Sequence, residues 1–258
     1  MFSHIPDIIY KAGNIVKKGF YSDKNINFKG SVDLVTEYDV MCENYLKDNL
    51  SKLFPSFKII AEESNNKDIW DNSGNNIVID PIDGTTNFVH GVPHIAISVG
   101  IYENGKGKYG AVYNPILDEF YSAETSKGAF LNGKEIKVSK TDSLINSLTA
   151  TGFPYKQDNI GYTIGILEQV ITKTRGIRRL GAASLDLCYT ARGMFDIYYE
   201  EVLKPWDMAA GIIIVREAGG VATNMDGRAH NLDSQSILAG NSVIHKEFLK
   251  LLGRGKNI

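Results

Sequence analysis

Acidic side chains recur in this sequence where apolar runs end, and that placement defines the chemistry the chain could do. The densest case is Ile77-Val78-Ile79-Asp80-Pro81-Ile82-Asp83-Gly84-Thr85-Thr86-Asn87-Phe88. Its β-branched start reads as a buried strand that stops at a carboxylate. Pro81 fixes its own φ and removes an N–H, so the strand is not expected to continue regularly. Asp83 follows one tight turn after Asp80, near enough for both carboxylates to address one point. Gly84 admits a backbone conformation that a Cβ hinders, and Thr85, Thr86 and Asn87 are residue types that open helices. Carboxylates bind hard cations, and the free N–H groups of a helix start bind phosphate. The stretch therefore has the chemistry of a magnesium-dependent phosphate site. Asp-Pro and Asp-Gly are also ordinary turn signals. The wholly apolar strand before them, and further acids in similar settings, raise this stretch above a turn. Two carboxylates ~4 Å apart repel by about 4 kcal/mol at an effective dielectric near 20, so a cluster of them calls for cations.

Those further acids come from well-separated segments. Phe57-Lys58-Ile59-Ile60-Ala61 reads as a short strand ending in Glu62-Glu63-Ser64. Thr36-Glu37-Tyr38-Asp39 has the form of a capping box, opening a helix through Met41, Tyr45, Leu46, Leu50 and Leu53 toward Pro55. Asp39 can cap that helix, orient a hydroxyl or water, or do both. In Lys204-Pro205-Trp206-Asp207-Met208-Ala209-Ala210-Gly211, Asp207 falls in a first helical turn. There it offsets the partial positive charge of the macrodipole, about half an elementary unit, or serves as a further metal ligand. Ile177-Arg178-Arg179-Leu180 reads as a strand running into Gly181-Ala182-Ala183-Ser184. Small residues at such a junction let either a ligand or a packed helix approach the backbone closely. Phe195 to Tyr199 is expected to be a strand ending in Glu200-Glu201.

The elements that must position these groups follow from periodicity. Ile5, Ile8, Ile9, Ala12, Ile15, Val16 and Phe20 fall at helical spacing. Asn25 to Val32 reads as polar loop, with Lys29 a solvated charge. Asn65 to Asn76 reads as an exposed loop or hairpin. From His94 to Val138 the pattern is an antiparallel meander, with Asn132-Gly133 its strongest hairpin signal. Helices are expected around Ile160–Ile171, from Leu185 to Ala191, from Pro205 to Gly219-Gly220, and after Asn241. His90 and His94 are read as structural. The halves 1–140 and 141–258 form one catalytic unit over 1–258, with residue 140 the only candidate boundary. Of the 258 residues, 43% are hydrophobic and 22% charged, as in a soluble globular protein. A net charge of -2 argues against a nucleic-acid or membrane-surface protein. Cys42 and Cys188 lie in apolar periodic stretches without metal-type spacing, which implies buried thiols in a reducing cytoplasm. No basic region leads into an apolar stretch at the N-terminus.

Taken together, Ala61-Glu62-Glu63-Ser64, Asp80 to Phe88, Trp206-Asp207-Met208-Ala209-Ala210-Gly211 and Glu217-Ala218-Gly219-Gly220 resemble the inositol monophosphatase family of metal-dependent, lithium-sensitive phosphatases, in order and spacing across nearly the whole chain. Leu203-Lys204-Pro205-Trp206-Asp207 looks like the bacterial branch, and Ala182 stands where animal members carry a hydroxyl. The resemblance implies a mixed α+β fold, a layered α/β/α/β/α sandwich, usually homodimeric. It implies that Glu62, Asp80 and the carbonyl of Ile82 hold one Mg²⁺ and that Asp80, Asp83 and Asp207 hold a second. A third, weaker ion would share Glu62 and water, and Mn²⁺ is a possible substitute. It further implies that N–H groups of Gly84 and Thr85 cradle phosphate. Thr85 with Asp39, helped by Glu62, would activate water, and Gly181, Ala182, Ala183, Glu200 and Asp207 would face the alcohol part of a small phosphorylated substrate. The expected activity is hydrolysis of inositol monophosphate or a related sugar phosphate. The rivals are a phosphatase for fructose 1,6-bisphosphate or 3′-phosphoadenosine 5′-phosphate, and a regulatory protein of a transcription complex. Arg175, Arg178 and Arg179 could meet a second phosphate, although solvation is the expected fate of most of them.

Overall fold

The computed structural model describes residues 2–28, 34–64, 73–154, 160–231 and 233–254. Lys29 and residues 65–72 of the Asn65–Asn76 stretch lie outside them. In chain order the elements are α1 (Ile5–Phe20), β1 (Ile26–Phe28), β2 (Leu34–Thr36), α2 (Glu37–Leu53), β3 (Lys58–Ala61), β4 (Asn76–Asp83) and α3 (Thr85–His90). The meander follows as β5 (Ala96–Glu103), β6 (Lys106–Asn114), β7 (Glu119–Glu124), β8 (Ala129–Leu131) and β9 (Lys134–Ile136). The second half contains β10 (Leu148–Thr151), α4 (Ile160–Ile171), β11 (Gly176–Arg178), α5 (Ala183–Ala191), β12 (Ile197–Glu201), α6 (Pro205–Glu217), β13 (Val221–Thr223), β14 (Ser236–Gly240) and α7 (Ser242–Leu251).

Two large sheets carry the fold. One runs β3-β4-β5-β6-β7-β8-β9, with β3 parallel to β4 and the rest antiparallel. The other runs β11-β10-β12-β14-β13. Side-chain alternation explains why both are covered twice. Along β4, Ile77 and Ile79 enter the core shared with α1 and α2, while Val78 enters the core shared with α5 and α6. In the second sheet, Tyr198 and Ala239 face α5 and α6, while Ile197, Tyr199 and Leu238 face α4 and α7. A strand apolar on both faces needs a helical layer on each side. The result is the layered α/β/α/β/α sandwich. The middle layer sits tight on the first sheet: a Cβ on Gly110 would stand 2.6 Å from the carbonyl oxygen of Ala210 in α6.

Four local readings need correction. Asn25 to Val32 is not loop throughout, because Ile26–Phe28 pairs antiparallel with Leu34–Thr36. A three-residue ribbon has too few alternations to register as a strand. β4 does not stop at Asp80. It reaches Asp83 with a shifted register, so Pro81 disturbs the pairing without ending it. β10 was not anticipated, because Leu148–Thr151 carries only four residues of pattern. The strand before Glu200-Glu201 contains them both.

His245 on α7 is buried, with Nε2 2.8 Å from Thr223 Oγ1. Burial, then the Lys246 charge, pulls its pKa down to about 4. The unfolded chain binds this proton near the ordinary value of about 6.5, so between the two values the unfolded state holds more protons. Stability from this group is complete above about pH 6.5 and is lost as pH falls toward 4. Between about pH 7 and about pH 5, the parent is expected to lose about 1–2 kcal/mol more stability than His245→Gln. Calorimetric melting of both proteins at the two pH values checks this, and equal pH dependence would refute it.

Candidate active site

β4 supplies the centre of the site. Asp80 Oδ1 accepts a hydrogen bond from the N–H of Ile82 at 3.1 Å, so the carboxylate closes the turn around Pro81. Cys42 Sγ lies 3.3 Å from the Pro81 carbonyl and backs the same turn from α2. Gly84, at φ 88°, is the N-cap of α3. A Cβ there would stand 3.0 Å from the His94 carbonyl oxygen and 3.1 Å from that of Gly181, so the left-handed turn and the close approach both require glycine.

Asp39 performs two tasks with two oxygens. Its Oδ2 accepts from Thr36 N at 2.8 Å and Thr36 Oγ1 at 2.6 Å, completing the capping box of α2. Its Oδ1 accepts from Thr85 Oγ1 at 3.1 Å, and that hydroxyl also lies 3.0 Å from the Ile82 carbonyl. The cap thus fixes the carboxylate that orients Thr85.

The second half of the chain closes over this centre. Asp83 Oδ2 accepts from Ser184 N at 2.7 Å and from Ser184 Oγ at 2.5 Å, which ties β4 to the first turn of α5. Asn87 Nδ2 donates to the carbonyls of His94 and Leu180, both at 2.8 Å. His94 Nε2 lies 3.1 Å from Asp186 Oδ1, so the histidine is a structural tie across the halves. Asp207 Oδ2 accepts from Lys204 N at 2.7 Å at the start of α6. Tyr198 donates to Glu200 through a short hydrogen bond.

Glu62, Asp80, Ile82, Asp83, Gly84, Thr85, Glu200 and Asp207 line one cavity of about 190 Å³. An adjoining recess of about 70 Å³ is lined by Gly181, Ala182, Ala183 and Arg179, sharing Asp83, Glu200 and Asp207 with the first. Asp39 lies buried beneath Thr85. The residues expected to serve as metal ligands, catalytic groups and substrate contacts therefore meet at one place. Of the three arginines, Arg179 reaches the recess, with its guanidinium over the Phe153 ring at 5.8 Å. Arg175 and Arg178 bond Asn146 and the Ile177 carbonyl at the surface. Ser184, Asn87, Asp186, Tyr198 and Phe153 were missed. Ser184 and Asn87 stood in the quoted motifs, but only their tertiary partners give them a task. The others carry no local signal.

The electrostatics are those of crowded carboxylates. Burial, then Glu62, Asp83 and Asp207, push the Asp80 carboxyl well above its ordinary range. Burial, then Asp83 and Glu62, do the same to Asp207. Asp83 is raised by burial to about 6, against the pull of its two bonds from Ser184. Glu200 is raised by burial to about 8, against the bond from Tyr198, so it stands protonated near neutral pH. Among the described residues no group of three or more His, Cys, Asp or Glu is arranged to hold a metal ion as it stands. The donor set nevertheless fits a hard divalent cation. It is all oxygen, and burial and mutual repulsion disfavour the charges that a cation would restore.

A buried acidic cavity beside a helix start, between two covered sheets, is the arrangement of a phosphoric monoester hydrolase. The chain belongs to the inositol monophosphatase family, whose sequence pattern matches residues 3–256. It is 41% identical over 249 residues to inositol monophosphatase 3 of Solanum lycopersicum, covering 94% of this chain and 92% of that one. It is 39% identical over 232 residues to the Nus factor SuhB of Pseudomonas aeruginosa, covering 87% and 84%. The extragenic suppressor protein suhB of Bartonella henselae superimposes with a TM-score of 0.90 at 37% identity, covering 98% of each chain. Family members are generally metal-dependent. No helix among the described residues is long and apolar enough to cross a membrane.

Proposed function

We propose that this chain is a Mg²⁺-dependent phosphomonoesterase that hydrolyses inositol monophosphate or a related sugar phosphate to the alcohol and inorganic phosphate. The observation that carries the reading is the meeting of Glu62, Asp80, Asp83 and Asp207 with Gly84 and Thr85 on one cavity. The name of the Solanum relative supports the substrate class. Glu62, Asp80 and the Ile82 carbonyl would hold one ion, and Asp80, Asp83 and Asp207 a second. A third would share Glu62 and water, and Mn²⁺ can replace Mg²⁺. Such ions, when bound, lower the pKa of water and stabilise the attacking and leaving oxygens of an in-line displacement.

The protein groups divide the remaining work. The N–H groups of Gly84 and Thr85 receive phosphate oxygens. Thr85 gives its proton toward Asp39 Oδ1, which leaves the hydroxyl oxygen free to accept a proton from the attacking water. Glu62 assists from the rim. On the far side, the Glu200 carboxyl faces the alcohol part of the substrate and hydrogen-bonds one of its hydroxyls. The open backbone at Gly181, Ala182 and Ala183 admits the polyol ring. We assign residues 1–258 to one catalytic unit, acting as a cytoplasmic homodimer. The regulatory alternative has one support, the name of the Pseudomonas relative.

The test is phosphate release from a panel of inositol, sugar and nucleotide monophosphates and bisphosphates with Mg²⁺, Mn²⁺ or chelator, with and without Li⁺. Inositol 1-phosphate is expected to be hydrolysed with Mg²⁺ alone, and Asp83→Asn to be folded and inactive. Hydrolysis by Asp83→Asn at the parent rate would overturn the reading.

A further inference from the structure

A larger cavity, of about 320 Å³, lies between the β5–β6 turn, the C-terminal half of α6 and the segment around His230. It has no part in the chemistry above. Asp207 sits in the first turn of α6 and Arg216 in its last, roughly 13 Å apart along the axis. The cavity wall is apolar at Ile212, Ile213 and the ring of Tyr102, whose hydroxyl is already committed to the Ala209 carbonyl at 2.8 Å. Lys106 and Arg216 bring two positive charges to it, and neither pairs with a carboxylate among the described residues. Arg216 spends one N–H on the Ala222 carbonyl at 3.1 Å. Glu217, the one acid in the lining, accepts from Gly128 N at 3.0 Å. Two cations outweigh that acid together with the partial negative charge of the helix end, about half an elementary unit.

His230 adds a specific demand. Its ring bonds the Ser236 backbone, while its Nε2 is enclosed without a partner. Burial, then the Arg216 charge, lowers its pKa to about 4, so the ring is neutral at physiological pH. With the other nitrogen bonded to backbone, Nε2 presents a lone pair. A buried acceptor left unpaired costs about 1–3 kcal/mol, so a hydroxyl or N–H delivered there is rewarded.

We propose that this cavity binds a small organic oxyanion that also carries a hydroxyl group. The oxyanion sits between Arg216 and Lys106, the hydroxyl donates to His230 Nε2, and the carbon skeleton rests on Ile212, Ile213 and the Tyr102 ring. The proposal is independent of the phosphatase reading.

Glycerate is the probe, because it has both groups and no phosphate ester to hydrolyse. Calorimetric titration of the full chain is expected to show saturable binding, and ¹⁵N-histidine NMR a shift confined to the His230 Nε2 resonance. Arg216→Ala, at an exposed position, and His230→Phe are each expected to weaken binding about tenfold or more. Asp83→Asn is expected to leave it unchanged. Should His230→Phe fail to fold, Lys106→Ala replaces it with the same expectation. No saturable binding, or equal affinity in Arg216→Ala, overturns the proposal. So does binding lost only in Asp83→Asn, which would place glycerate in the catalytic cavity.

Discussion

Asp80→Asn is expected to abolish phosphate release and, in chelator-treated protein, to raise the melting temperature. The two effects share one cause. Asp80 is buried at the centre of the acidic cavity, with Glu62, Asp83, Asp207 and Glu63 all acting against its charge. Asn keeps the shape and an oxygen to accept from the Ile82 N–H. It removes the charge that the other carboxylates repel, worth about 1 kcal/mol or more at an effective dielectric near 20. For a chain of this length that corresponds to a rise of about 2–4 °C. The removed charge is also the one shared by both proposed ions. Losing several kcal/mol of transition-state stabilisation lowers the rate by about three orders of magnitude or more. Mg²⁺ should raise the melting temperature of the parent, since it binds the folded state, and should do so far less for the variant. A variant that melts lower than the parent in chelator, or that turns over at a comparable rate, would contradict this account of the cavity.

Thr85→Ala is expected to lower kcat by about 10²–10⁴, the range for loss of a positioned proton-transfer group. KM should change little, because the hydroxyl acts on the attacking water and the backbone N–H that receives phosphate remains. Thr85→Ser should retain most of the rate, since the methyl group has no part in the bonds to Asp39 and Ile82. The stability loss in Thr85→Ala should be only about 1 kcal/mol, one hydrogen bond. Steady-state kinetics and melting curves on the two variants separate the roles. If serine proves as damaging as alanine, the hydroxyl is not the working group.

Asp80 and Thr85 could be chosen from the sequence because their signals are local. Pro81 and Gly84 mark a turn within a few residues, Thr36 and Asp39 write a helix cap within four, and the β-branched apolar run Ile77-Val78-Ile79 marks a strand. Such signals arise from backbone sterics and short-range hydrogen bonds, so a short window contains them. The meander was legible for the same reason, through its turn residues. The β1–β2 ribbon and β10 were not, because their pattern is shorter than the window that periodicity needs.

The sequence by itself determined the inventory of carboxylates, the caps and turns that aim them, and the mixture of helices and strands. Only the tertiary structure decided that Ser184 holds Asp83, that His94 meets Asp186, that Tyr198 donates to Glu200, and that Arg179 alone of three arginines reaches the recess. Asp83 and Ser184 are 101 residues apart, and His94 and Asp186 are 92 apart. Contacts over such separations depend on how two sheets and a shared helical layer pack, and packing is a property of the whole core rather than of any segment within it.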